Sequence, residues 1–207
     1  MSISSKTVIL ADGTFPENEI PLGYLRNAQS IICCDGSADQ LIKAGFIPEA
    51  IVGDLDSVTA EVATKYSDRL FPDRDQETND LTKAVRWCIE RDQKDLVILG
   101  ATGKREDHTI GNISLLAEYA READIMMVTD SGILRPYLKS CVFPAIPGQQ
   151  ISVFSINPET EITSRGLVYP LLRKKLRNWW EATLNEAAGE IVELEFEGGA
   201  IIVFMEL

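Results

Sequence analysis

Six short apolar runs rich in β-branched residues recur between residues 6 and 130: KTVILA, SIICCD, AIVGD, RLFPD, DLVILGA and DIMMVTD, with helical patterns between most of them. Strands apolar at consecutive positions are covered on both faces, so this alternation predicts a mostly parallel sheet with flanking helices. The clearest helix is NDLTKAVRWCIERD, where Leu81, Ala84, Val85, Cys88 and Ile89 follow the i, i+3, i+4, i+7, i+8 pattern. Thr78, Asn79 and Asp80, all capping types, mark its start. A second helix is expected from about Asp107 to Glu122, with Ile110, Ile113, Leu116 and Ala117 on one side.

After about Arg135 the texture changes. CVFPA, QQISVFSI, GEIVELEFE and AIIVFMEL are strand-like, and EGGA between the last two predicts a hairpin. LRPYLKSCVFPAIPG has the prolines and glycine of a connection. The expectation is an α/β domain over residues 1–135 and an all-β domain over 136–207.

A chain of 207 residues with 45% hydrophobic content can bury an ordinary core. Its net charge of −12 argues against nucleic acid or an anionic membrane as partner. No apolar run approaches a membrane span, and the start MSISSKTVILADG lacks the basic and long apolar regions of a signal peptide, so a cytoplasmic location is expected. The four cysteines form no C-x-x-C pair, which favours buried, reduced thiols over zinc or redox chemistry.

In an open α/β sheet, ligands bind beyond the carboxyl ends of the strands. Asp35 follows SIICC, Asp54 and Asp56 follow AIVG, Asp73 and Asp75 follow RLFP, and GATGKRED follows LVIL. Four strands thus end in acidic or glycine-rich turns. If the backbone stays extended past Gly53, Asp54 and Asp56 point to one side. Two carboxylates about 4 Å apart repel by about 1 kcal/mol in water and about 4 kcal/mol near a protein surface. They are either solvated turn residues or, with Asp35 and Asp80 beside them, a Mg²⁺ site.

Asp80 is equally a helix cap or a metal ligand. Lys83, one turn on, is either a surface lysine or a point charge for a polyphosphate. GATGKREDHTIGN permits close backbone approach and leads into a helix whose N-terminus favours an anion, yet it matches neither the Walker nor the dinucleotide pattern. Arg105 is a candidate phosphate clamp, and Asp107 a cap or orienting group. His108 is the only histidine, which excludes any mechanism that needs a pair.

In this order and spacing, CDGSAD, GDLDS, DQETNDLTKA and GATGKREDHTIGN resemble the thiamine pyrophosphokinase family, and SRGLVYPL followed by ATLNEA resembles its thiamine-side motifs. The resemblance implies transfer of the pyrophosphoryl group of ATP to the hydroxyl of thiamine, giving thiamine diphosphate and AMP. It implies a Rossmann-like catalytic domain, a β-sandwich thiamine-binding domain and a homodimer. Carried onto this sequence, Asp54, Asp56 and Asp80 would hold Mg²⁺, assisted by Asp35, with Arg105 and Asp107 close to the reacting groups. Gly36, Ser37, Gln76, Thr78, Asn79, Thr82, Lys83 and Thr102 would bind the co-substrate ATP, and Tyr169, Thr183 and Asn185 would face thiamine. Two positions depart from the family's pattern: Lys104 stands where it has glycine, and Leu184 where it has serine.

Two other functions compete. GDLDSV also matches the D-x-D-x-[TV] pattern of haloacid-dehalogenase-like phosphatases, with Asp54 as nucleophile and Asp56 as acid/base. A nucleotide-binding module without turnover is the third reading.

Overall fold

The computed structural model describes residues 6–207, so the first five residues of the start MSISSKTVILADG lie outside the described residues. Two units emerge. The first runs to Ile113 and takes in Glu122–Asp130, and the second comprises Ser114–Arg121 with Ser131–Leu207.

The first unit contains β1 (Thr7–Leu10), α1 (Glu19–Arg26), β2 (Ser30–Cys34), α2 (Ser37–Lys43), β3 (Ala50–Gly53), α3 (Ala60–Lys65), β4 (Leu70–Pro72), α4 (Asp80–Ile89), β5 (Asp95–Leu99), the start of α5 (Glu106–Tyr119) and β6 (Asp124–Val128). Its six strands are parallel in the order β6-β5-β1-β2-β3-β4. β1, β2 and β3 are buried at every position, as the continuous apolar runs require. Ile9, Ile32, Ile51 and Ile98 are wholly buried, and each such side chain contributes about 1.5–3 kcal/mol. In α4, Leu81, Ala84, Val85 and Cys88 face the core.

The strand order reverses at β1, whose neighbours are β5 and β2. The crevice at that reversal is where such sheets take ligands. In α5, Leu116 and Ala117 are buried as expected, whereas Ile110 is 59% exposed. The first turns of this helix border the cavity described below instead of the core.

The second unit contains β7 (Gly132–Tyr137), β8 (Cys141–Pro144), β9 (Gln150–Ser155), β10 (Glu161–Arg165), β11 (Lys174–Lys175), β12 (Asn185–Glu186), β13 (Ile191–Phe196) and β14 (Ile201–Glu206). It forms two antiparallel sheets, β12-β9-β14-β7 and β11-β10-β13-β8. In β13, Val192, Leu194 and Phe196 point inward and Glu193 and Glu195 outward, the alternation of a sheet with one covered face.

Two expectations need correction, and one strand goes beyond them. EGGA does not close a hairpin, because β13 and β14 belong to different sheets; the Thr160 hydroxyl donates to Gly198 O at 2.7 Å and fixes the corner. LRPY is not a connection, since six residues from Gly132 to Tyr137 pair with β14 and outweigh the one donor lost at Pro136. The strand EITSR was not anticipated, because Ile162 is its one apolar residue. Among the described residues no helix is long and apolar enough to cross a membrane.

Candidate active site

Loops from five strand ends of the first unit converge on a cavity of about 330 Å³, lined by Asp12, Gly13, Asp35, Gly36, Ser57, Asn79, Asp80, Thr102, Lys104, Arg105, His108 and Asn112, among others. It lies at the carboxyl edge of the sheet, at the β1/β5 reversal. Asp12 was missed by the sequence reading, although it follows the central strand directly; the end of KTVILA carried the same signal as the other strand ends.

Asp54 and Asp56 come together, but not through an extended chain. Leu55 between them is left-handed, with φ 66°. The Asp56 N–H turns back to donate to Asp54 Oδ1 at 3.4 Å, an Asx-type turn. The outcome is that oxygens of Asp35, Asp54 and Asp56 all lie within 4.8 Å of one another.

Asp35 leaves β2 with φ 39° and is only 5% exposed. Its Oδ2 accepts the Ser57 N–H at 3.4 Å, while Oδ1 is buried with no hydrogen-bond partner. Burial pushes its carboxyl up to about 7 against the pull of that N–H, and the negative charges of Asp80, Asp54 and Asp56 add to the rise. Asp54 is lowered, chiefly by the Asp56 N–H. Gly53 makes this crowding possible: at its φ of 156°, a Cβ would stand 3.0 Å from Asp35 Cβ and 3.2 Å from Asp80 Oδ1.

The cap of α4 is Asn79, whose Oδ1 accepts the Thr82 N–H at 2.9 Å and its hydroxyl at 2.7 Å. Asp80 is thereby released from capping and accepts Lys83 Nζ at 2.9 Å. Lys83 is 3% exposed. Burial alone would lower its ammonium, and Asp80, Asp54 and Asp73 more than offset that, so its pKa is raised.

The Gln76 side chain adds a smaller pull to the lowering of Asp54. Thr78 donates to Asp75 Oδ2, and Asp73 and Asp75 accept the N–H groups of Asp75 and Glu77, so these acidic residues shape their own loop. Ser37 is wholly buried and ties the start of α2 to Leu10 O at 2.7 Å; it does not line the cavity. Arg105 holds Asp107 through Nε at 3.0 Å and Nη2 at 2.5 Å, which keeps the Asp107 carboxyl well below its usual range.

Tyr169, Thr183 and Asn185 lie in the second unit. The Tyr169 ring is 67% exposed. Asn185 is buried, accepts the Tyr169 N–H at 3.1 Å and donates to Tyr169 O at 2.7 Å, so it positions that residue. The Thr183 hydroxyl bonds to Trp180 O. Trp180 is 73% exposed, whereas Trp179 packs edge-on against Phe154. All four cysteines are free thiols, three buried and Cys141 half-buried; burial drives Cys33, Cys88 and Cys141 up to about 12 and Cys34 well up, which disfavours the thiolate.

Comparison with known proteins bears on these arrangements. Residues 22–129 match the family model "Thiamin pyrophosphokinase, catalytic domain", and residues 132–204 match "Thiamin pyrophosphokinase, substrate-binding domain". The chain is 34% identical over 118 residues to a thiamine pyrophosphokinase of Bacillus subtilis, a match covering 54% of each. It is 30% identical over 109 residues to a thiamin pyrophosphokinase of Caenorhabditis elegans, covering 48% of this chain and 44% of the relative. The matched stretches thus span about half the length of these relatives.

Among solved structures, a thiamin pyrophosphokinase family protein from Enterococcus faecalis superposes with a TM-score of 0.82 at 21% identity, over 98% of this chain and 99% of the other. The B. subtilis enzyme gives 0.80 at 24% identity, over 97% and 99%. These likenesses establish the fold. A phosphatase with Asp54 as nucleophile is not supported, because the segment that would carry it falls inside the catalytic-domain match. With more than half of its residues matched by the catalytic-domain model and most of the remainder by the substrate-binding model, the chain belongs to the thiamin pyrophosphokinase family.

Proposed function

We propose that the protein transfers the pyrophosphoryl group of ATP to the hydroxyl of thiamine, yielding thiamine diphosphate and AMP. The observation that carries this reading is the gathering of Asp35, Asp54 and Asp56 beside a cavity that also holds Arg105 and Lys104. An all-oxygen donor set, with one buried carboxylate oxygen lacking any partner, suits a hard divalent cation. Asp54, Asp56 and Asp35 would hold Mg²⁺, with Asp80 alongside. When bound, the ion neutralises negative charge on the phosphates.

In the reaction, the thiamine hydroxyl oxygen bonds to the β-phosphorus, the bond from that phosphorus to the oxygen bridging to the α-phosphorus breaks, and AMP leaves with that oxygen. The hydroxyl proton has two candidate acceptors, Asp80 and Asp107. Such transfer needs mainly alignment and charge neutralisation. Arg105 exchanges Asp107 for phosphate, and Lys83, kept charged by Asp80, supplies a fixed positive point. Gly36, Gln76, Thr78, Asn79 and Thr102 shape the ATP site, and Thr82 and Ser37 hold it from behind.

For thiamine, the exposed Tyr169 ring offers a face to the thiazolium cation, worth roughly 0.5–2 kcal/mol, and Asn185 and Thr183 fix the surrounding chain. A homodimer and a cytoplasmic location belong to the same reading. Support for the dimer is the exposure of Val168, Tyr169, Leu172, Trp180 and Leu184, each at least 45%. The test is chromatographic: incubation with ATP, Mg²⁺ and thiamine should give AMP and thiamine diphosphate together. ATP consumption without AMP, or without thiamine dependence, would overturn it.

A further inference from the structure

The segment after β1 and the segment after β5 are zipped together by main-chain hydrogen bonds: Ala11 N–H to Leu99 O at 2.9 Å, Gly13 N–H to Gly100 O at 2.6 Å and Thr14 N–H to Thr102 O at 2.8 Å. There is no room between them, since a Cβ on Gly13 would stand 2.3 Å from Gly100 O. This ladder sets Lys104 directly against Asp12, and its Nζ donates to Asp12 Oδ1 at 2.9 Å on the wall of the cavity.

The pair has three properties that a purely structural bridge does not need. Both side chains are about half exposed, at 50% and 47%, so the contact adds little to stability. Asp12 Oδ1 also accepts Gln40 Nε2 at 3.0 Å, so losing Lys104 would not strip it of its partners. Finally, Lys104 is adjacent in sequence to Arg105, which is likewise exposed and held by one carboxylate. Two neighbouring cations, each on a single exchangeable carboxylate, face a cavity also lined by Asp12, Asp35 and Asp80.

We propose that Lys104 is a polyphosphate-binding residue, parked on Asp12 and transferred to the nucleotide's phosphates when ATP enters, so that the Asp12–Lys104 pair sets nucleotide affinity. The inference rests on the reading of this cavity as the nucleotide site. A phosphate chain bearing several negative charges outcompetes one solvated carboxylate for the ammonium. Asp12 keeps Gln40 when the ammonium departs.

The experiment is calorimetric titration of ATP, with Mg²⁺ in excess, into the full chain and the variants Lys104→Ala and Asp12→Asn. Both substitutions are at exposed positions, and unchanged melting curves verify folding. Lys104→Ala should raise the ATP dissociation constant about tenfold, in line with the loss of one charge-assisted hydrogen bond. Asp12→Asn, which retains an acceptor for Gln40 but frees the ammonium, should lower it about threefold, the smaller effect expected for an exposed pair. Shifts in the same direction, or a dissociation constant within twofold of wild type in Lys104→Ala, would overturn the proposal while leaving the nucleotide site intact. Failure of the wild-type chain itself to bind ATP would remove the nucleotide reading and this inference together.

Discussion

Lys83 Nζ lies 2.9 Å from Asp80 Oδ1, one turn apart on α4, with the lysine side chain 3% exposed and the aspartate 35%. The two partners are therefore unequal. Asp80→Ala leaves an ammonium buried without its nearest counter-charge and should lower stability by about 1–2 kcal/mol, the upper values for buried pairs being discounted for the half-open aspartate. Lys83→Met leaves a carboxylate that water reaches, so its melting temperature should change less than that of Asp80→Ala. Both should lower AMP release by at least about a hundredfold, the scale of losing one preorganised electrostatic group. Denaturant melts alongside AMP assays check the asymmetry.

Asp54 and Asp56 repel each other and Asp35, so neither removal should abolish folding. Asp56→Ala is expected to melt at or above the wild-type temperature, and Asp54→Ala, which also loses the acceptor of the Asp56 N–H, somewhat below it, while turnover nearly disappears in both. Adding Mg²⁺ should raise the wild-type melting temperature, and chelation should reverse it, by the linkage of a ligand bound only to the native state. An undiminished Mg²⁺ shift in the Asp54→Ala, Asp56→Ala double variant would contradict the site.

Gly53→Ala tests the crowding. A methyl 3.0 Å from Asp35 Cβ and 3.2 Å from Asp80 Oδ1, on a backbone with φ 156°, should cost about 1–3 kcal/mol. The same substitution at Gly45, where a Cβ meets nothing within 4 Å though φ is 88°, should show only the backbone part. Comparing the two melts separates crowding from backbone strain.

In the second unit, Tyr169→Ala should raise the KM for thiamine several-fold, with stability and the KM for ATP nearly unchanged, because the ring is mostly in solvent. Asn185→Ala should instead destabilise by about 1–2 kcal/mol, since the buried Asn185 makes three hydrogen bonds to part-buried backbone of Tyr169 and Glu186. Steady-state kinetics with each substrate varied, plus a melt, distinguish the two.

The parallel half of the fold was legible because its signal is redundant: β1, β2 and β3 are buried throughout and apolar at every position but Thr7 and Ser30, and α4 repeats its apolar face over three turns. The acidic cluster was legible for the same reason, several strand ends carrying the same residue type. Its mechanism was not. No pattern in GDLDS announces that Leu55 turns left-handed, because an Asp can accept the N–H two residues on or stay solvated, and the Ser57 N–H that anchors this loop goes to Asp35, 22 residues away. The roles of Asn79 and Asp80 could not be separated either, since both cap helices well and only the fold shows which one does. EGGA misled because two glycines permit a corner as readily as a hairpin, and the pairing choice rests on β9 and β7, dozens of residues away.

β14 is the last strand in order, yet it is an interior one, paired on one side with β7 and on the other with β9. A polypeptide emerging from the ribosome and grown only to Phe196 would present both of those strands with open ladders, ready to join any other extended chain. The parallel sheet of the first unit, by contrast, has all its strands by Val128. During synthesis the two units are therefore born unequal: one can close early, while the other stays vulnerable to aggregation until its final six-residue strand arrives and fills the gap.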